Sequence, residues 1–286
     1  MNVNSQEKYF LRPATPEDSQ MLNCFLQTEN CVLHKHLDWH TPSDWLGKQP
    51  FWILGQDNKI YAAVAMPPGP PTVAWIRFFA IAPNLRAKQT WQILFQNARL
   101  SFTAPPPNIV SLAIKPQYIE LLEESGFHHY QDIINLAWKK HKKNRVDMPS
   151  HVKVRPMKPD DLPEVEKLDQ LGFEPIWQNS LDVISHAFYQ SAHSTVAETN
   201  HTIVGYQIST ASFSNAHLAR IVVHPDYRKQ NIAYKLIEEL ITHFTSYGIE
   251  NITVNTQHNN IASLSLYHKI GFVETEDRFP VYMFTG

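Results

Sequence analysis

Between His224 and Ile237 the chain reads HPDYRKQNIAYKLI. Arg228, Lys229 and Gln230 stand where an apolar strand pattern gives way to a helical one, with Ala233, Leu236, Ile237, Leu240 and Ile241 on one face. A helix N-terminus already carries partial positive charge and prefers acidic neighbours. Cations at that point suit a turn that receives an anion, because the first N–H groups of a helix have no partner inside it and point outward. Asn231 is the non-glycine type that best tolerates positive φ, and Ala233 is small enough for close backbone approach. A surface turn with ordinary cations has the same composition, so the turn alone leaves both readings open.

The next strand-and-helix segment, NTQHNNIASLSLYHKIGF, narrows the choice. With it the chain resembles the GCN5-related N-acetyltransferase (GNAT) family. The family's acetyl-CoA loop runs Arg/Gln-x-x-Gly-x-Gly/Ala. Here RKQNIA supplies Arg228 and Ala233, with Asn231 at the usual glycine. The later family motif corresponds to Asn260, Ala262, Leu266-Tyr267 and Gly271-Phe272. The resemblance implies that the backbone of Arg228, Lys229, Gln230, Asn231, Ile232 and Ala233 holds a pyrophosphate. It implies that Ile221, Val222 and Val223 pair with the pantetheine arm of acetyl-CoA, the co-substrate, and that Asn260 hydrogen-bonds that arm. Tyr267 is implied to protonate the leaving thiolate. A thiol has a pKa of about 8.5 and a phenol about 10, so a phenol keeps a proton to give at neutral pH. Packing alone for Tyr267 and N-capping alone for Asn260 are the competing roles. The expected reaction is direct acetyl transfer to an amine, on a small molecule or a peptide N-terminus. The alternative is an acyl-CoA-binding or scaffold protein of the same fold without catalysis.

An amine acceptor must lose a proton, and His217 and Glu174 are the candidate bases. A water chain needs neither. The run CVLHKHLDWH places Cys31, His34, His36, Asp38 and His40 close together, a composition that can bind zinc. It lacks a CxxC or HxxxH pairing, so the expectation is no metal, with packing or one wall of an acceptor pocket as its use.

These residues need elements to position them, and the chain describes its elements twice. Arg12-Pro13 and Arg155-Pro156 lie 143 residues apart, Pro83 and Pro225 142, Arg86 and Arg228 142, and Gly126 and Gly271 145. Anchors in order at nearly one offset indicate a duplicated unit of domain size. Each half reads as an opening strand, a Pro-acidic turn and helix, and two alternating runs joined by a hairpin turn (QDNK; ETNHT). A buried strand, a long helix, another strand, a helix ending at Gly-Phe and a closing strand follow. The expected fold is α/β (α+β): two tandem GNAT-like domains, each a mixed, mostly antiparallel sheet with helices on both faces. Residues 1–140 form a degenerate half without cofactor, 141–150 a charged linker, and 151–286 the half with the acetyl-CoA site. In the first half Gln89 and Trp91 stand at the places of Asn231 and Ala233, Leu122 at that of Tyr267, and Lys115 at that of Asn260. An indole crowds a pyrophosphate, and a leucine has no proton to give.

The bulk composition is compatible. Hydrophobic residues make up 43% and charged residues 18% of 286, enough apolar material for two cores. A net charge of −2 argues against a general nucleic-acid or membrane surface. Two cysteines, Cys24 and Cys31, suit a reducing cytoplasm. The N-terminus lacks an apolar signal core, and no apolar run reaches membrane-spanning length. The expectation is a cytoplasmic protein.

Overall fold

The computed structural model describes residues 9–27, 31–139 and 148–285. Most of the expected linker, 141–147, lies outside them. The chain forms two compact units, one of residues 1–130 with 280–286 and one of residues 131–279. Among the described residues, no helix is long and apolar enough to cross a membrane.

The first unit holds β1 (Phe10–Pro13), α1 (Ser19–Leu26), β2 (Val32–Lys35), β3 (Phe51–Gln56), β4 (Lys59–Ala65), β5 (Val73–Trp75) and β6 (Phe78–Ile81). After these come α2 (Ala87–Leu100), β7 (Asn108–Leu112) and α3 (Pro116–Glu124). Strands β1-β3-β4-β6-β2 form one antiparallel sheet. β5 pairs in parallel with β7, and Val281 to Phe284 pair with β7 on its other side.

The second unit takes up β8 (His128–Trp138) from Gln131 onward, then β9 (Lys153–Pro156), α4 (Leu162–Gly172), α5 (Leu181–Gln190), β10 (His193–Thr199), β11 (Thr202–Ser212) and β12 (Asn215–Val223). It is completed by α6 (Ile232–Ser246), β13 (Asn251–Gln257), α7 (Ile261–Ile270) and β14 (Phe272–Phe284) up to Phe279. Its sheet runs β9-β10-β11-β12-β13-β8-β14; the pairings from β9 to β12 and of β13 with β8 are antiparallel, and β12 with β13 is parallel. The closing strands thus trade places. Residues 131–138 pair with β13 of the second unit, and 281–284 pair with β7 of the first. A division at a linker does not describe these units.

The repeated anchors have repeated physical causes. Arg12 forks onto Asp18 at 2.7 and 2.7 Å, and Arg155 onto Asp161 at 2.7 and 3.0 Å. Each carboxylate also accepts a backbone N–H three residues earlier, at Thr15 and Lys158, so it closes the turn into the following helix. The hairpin turns put two consecutive residues at positive φ, Asp57-Asn58 and Asn200-His201, as two-residue turns between twisted strands require. Gly126 and Gly271, at φ 90° and 103°, end α3 and α7.

Candidate active site

Strand β12 is central to the second unit and carries one extra residue. Its register to β11 passes from Leu218↔Ser209 to Arg220↔Ile208, so Ala219 bulges. The bulge changes which face the side chains take. Ala216 and Leu218 join the core under α6 and α7, whereas Arg220 and Val222 turn towards α4. The ladder to β13 stops at Leu218↔Val254, although β12 runs on to Val223 and β13 to Gln257. Beyond that point each strand is held by its outer neighbour: β12 by β11 to Val223↔Gly205, and β13 by β8 to Gln257↔Ile133. The two strands therefore part in the middle of a sheet, with the backbone of residues 219–223 along one side of the gap.

The basic turn follows directly. Val223 and Ile232 are buried in one cluster, which fixes the strand end and the helix start while the residues between them stay outside. Asn231 takes the left-handed conformation, φ 57° and ψ 19°, and so does Lys229 at φ 63°. The sequence reading anticipated the first but not the second. Helix α6 has no acidic residue in its first turn, and the Asn231 side chain does not cap it. Its first backbone bond is Lys235 N–H to Asn231 O, which leaves the N–H groups of 232–234 without an intrahelical acceptor. Ile232 is buried and Ala233 is half-buried, one residue out of step with the expected apolar face. Arg228 lies across the turn's base: its Nε donates to Val223 O at 3.3 Å and its Nη2 to Gly172 O at 3.1 Å. Neither acceptor carries a formal charge, so the guanidinium adds a net positive charge at the base of the turn.

Asn260 is the N-cap of α7. Its Oδ1 accepts from Ser263 N at 3.1 Å, and its Nδ2 donates to Gln257 Oε1 at 3.2 Å. The capping role is therefore realised. Two turns later Tyr267 is buried in the same core cluster as Leu218 and Val254, the last paired residues before the strands part. Burial pushes its hydroxyl above the ordinary phenol range, so it holds its proton at neutral pH.

The two base candidates separate. His217 is half-buried on β12, with Nδ1 2.8 Å from Thr253 Oγ1 on β13. Burial lowers its pKa, which keeps the imidazole neutral and able to accept a proton. By strand alternation and the bulge it shares the α4-side face with Arg220. Glu174 is exposed in the turn after α4, where its carbonyl accepts from Trp177 N at 2.8 Å.

One buried group escaped the sequence reading. Asp169, fully buried on α4, accepts from Arg220 Nε at 2.6 Å and Nη2 at 2.7 Å, from Asn179 N at 2.8 Å and from the Tyr206 hydroxyl. Arg220 also donates to Trp177 O at 2.6 Å and stacks over Phe173 at 3.8 Å. The network ties the bulged strand to α4 and the turn after it, and every partner of the buried charge is supplied. An aspartate inside the apolar stripe of a helix and an arginine inside an apolar strand were the available signals.

The first unit repeats the parting strands but not the turn. β5 pairs with β7 while β6 pairs with β4, and the break at Ile76-Arg77 matches Ala219-Arg220 at an offset of 143. Arg77 again meets an acid, Asp38 at 3.1 Å, and lies over Trp45. Helix α2, however, starts at Ala87, the counterpart of Lys229, so residues 87–89 are helical where 229–231 form the left-handed turn. Trp91 is fully buried, packs on Phe79 and Phe95, and donates Nε1–H to Ser125 Oγ at 2.8 Å. Leu122 is buried, and Lys115 Nζ donates to Val32 O at 2.7 Å. The CVLHKHLDWH run is drawn into packing. Cys31 Sγ reaches Phe25 O, His34 Nε2 lies 2.8 Å from Ile76 O and stacks on Tyr118, and Asp38 takes Arg77.

The architecture has solved counterparts. A tandem GNAT protein from the clavulanic acid biosynthesis pathway superposes with TM-score 0.62 at 13% identity, over 97% of this chain and 98% of that one. A GCN5-related N-acetyltransferase from Sphaerobacter thermophilus gives 0.58 at 14% identity, over 96% and 95%. At such identities the likeness is one of fold: an α+β protein of two tandem GNAT-like units. In sequence, residues 162–272 match the acetyltransferase (GNAT) family. Over 83 residues the chain is 29% identical to the ribosomal protein bS18-alanine N-acetyltransferase of Escherichia coli K12, covering 29% of this chain and 56% of that protein. An acetyltransferase of Yersinia pestis (strain Pestoides F) is 32% identical over 82 residues, 29% of this chain and 57% of that one. The chain spans about half the length of the curated relatives it matches. Its C-terminal half carries a domain of the GNAT N-acetyltransferase family, and the family match does not extend into the N-terminal half.

Proposed function

We propose that the second unit transfers an acetyl group from acetyl-CoA to an amine, on a small molecule or a peptide N-terminus, within a ternary complex. The observation that carries this reading is the pairing of parted central strands with an uncapped helix N-terminus shaped by Lys229 and Asn231. Convergent N–H donors and a helix dipole suit a pyrophosphate, and the open edge of residues 219–223 suits an amide-bearing arm. Acetyl-CoA supplies the activated acyl group. Tyr267, protonated by burial, donates to the departing sulfur. His217, neutral by burial, accepts a proton from the amine directly or through water. Asn260 contributes by capping α7 and so setting the direction of Tyr267. Main-chain N–H groups at the bulge are the donors for the thioester carbonyl. The first unit, whose corresponding turn is helical, does not bind the co-substrate in this reading.

Calorimetric titration with acetyl-CoA, followed by thiol release over a panel of amines, tests the proposal. Saturable binding with amine-dependent release supports it. Binding without turnover over the whole panel identifies a non-catalytic acyl-CoA-binding protein instead. Absence of binding at millimolar ligand overturns both.

A further inference from the structure

A second cluster in the same unit has no part in this chemistry. His193 opens β10, and Glu239 and His243 lie one turn apart on one face of α6. His193 Nε2 is 2.9 and 3.2 Å from the Glu239 carboxylate oxygens. The His193 and His243 rings lie face to face with centroids 3.6 Å apart and planes 7° from parallel. One ligand atom from each of the three residues lies within 4.8 Å of the others. Among the described residues the His243 ring makes only ring contacts, with His193, Phe244 and Tyr247, so its nitrogens are committed to no protein partner.

We propose that His193, Glu239 and His243 form a binding site for a zinc-type divalent cation that joins β10 to α6. Two imidazoles and one carboxylate are a borderline-soft donor set matched to zinc, and a tetrahedral ion leaves its fourth position to water. Tetrahedral bonds of about 2.0–2.2 Å place such ligand atoms about 3.3–3.6 Å apart. The ligand atoms already lie within 4.8 Å of one another, so an ion has to close each gap by no more than about 1.5 Å. A metal lies in the plane of each ring it binds, so one imidazole turns out of the stack as the ion enters. The half-buried His243, held by ring contacts only, is the one free to do so. Helix α6 also carries the basic turn at its other end, so an ion here anchors the helix that presents that turn without touching it.

The test uses the full chain, zinc and a competing chromophoric chelator. One equivalent should bind with a Kd of about 1 µM or tighter. Its zinc-edge absorption spectrum should show nitrogen and oxygen neighbours with two imidazoles. His193→Gln, Glu239→Gln and His243→Gln should each weaken binding by about tenfold or more while melting, zinc-free, like the parent. If one variant fails to fold, the other two decide the matter. Sulfur in the zinc shell, which would point to the exposed Cys24, overturns the proposal. Parent-like affinity in the variants, or no binding at about 100 µM zinc, overturns it as well.

Discussion

Substitution at Asn231 probes the turn most directly. The residue holds φ 57° and ψ 19° immediately before α6. The left-handed region costs an ordinary L-residue about 1–2 kcal/mol, less for asparagine and least for glycine. A β-branched side chain there is a conformational outlier. Arg228, Lys229 and Gln230 are exposed, so little packing opposes a change of shape in the turn. Asn231→Val should therefore leave the left-handed region in the free protein and return to it only on binding. A cost of about 1.4 kcal/mol appears as about tenfold weaker acetyl-CoA affinity. Asn231→Gly should bind as well as the parent or better, since strain and a side chain near the ligand both go. Arg228→Ala should lose less than Asn231→Val, because the backbone donors of 232–234 remain. Calorimetry on variants whose melting curves show them folded measures all three. Equal affinity in the parent and a folded Asn231→Val would refute the assignment of this turn to the pyrophosphate.

Three further outcomes follow from particular contacts. Tyr267→Phe should lower kcat by about a hundredfold or more with little change in KM; a wild-type kcat would remove Tyr267 from proton transfer. Gly172→Ala places a Cβ 1.9 Å from Val222 Cγ2, so the Val222 side chain must turn away or α4 and β12 must separate. It should cost about 1–3 kcal/mol, read in denaturant midpoints, and an unchanged midpoint contradicts the close approach. Burial lowers His34 to about 4 against 6.5 in an unfolded chain. A depressed histidine is neutral in the folded state and protonates first when unfolded. Its contribution to stability is thus present above about pH 6.5 and falls by about 3 kcal/mol as pH drops to 4. His34→Gln, which keeps a donor for Ile76 O, should flatten that part of the pH–stability curve, and a curve parallel to the parent's would contradict it.

Much of the candidate site's local geometry was legible in one dimension because its parts are local. A turn, a cap and a helix start involve residues within about four positions of each other. Asn231 and Gly271 are residue types that tolerate positive φ, and both adopt it. The Arg-Pro repeat was legible as an offset, though its cause, an arginine forked onto the turn's aspartate, needed coordinates. What depended on tertiary structure involved long separations. Asp169 and Arg220 are 51 residues apart, and each looks misplaced until the other is seen. The bulge at Ala219 appears only against the register of β11. The exchange of residues 131–138 and 280–284 was invisible because both closing strands have the same apolar alternation and fit either sheet edge by pattern. The two halves share the parted strands, but one has α2 starting a turn early with Trp91 buried. The chain's residue types determined that difference, and the packing around Trp91 decided what became of it. A buried indole with its N–H satisfied stabilises the helical form of the turn, whereas asparagine and alanine leave it open.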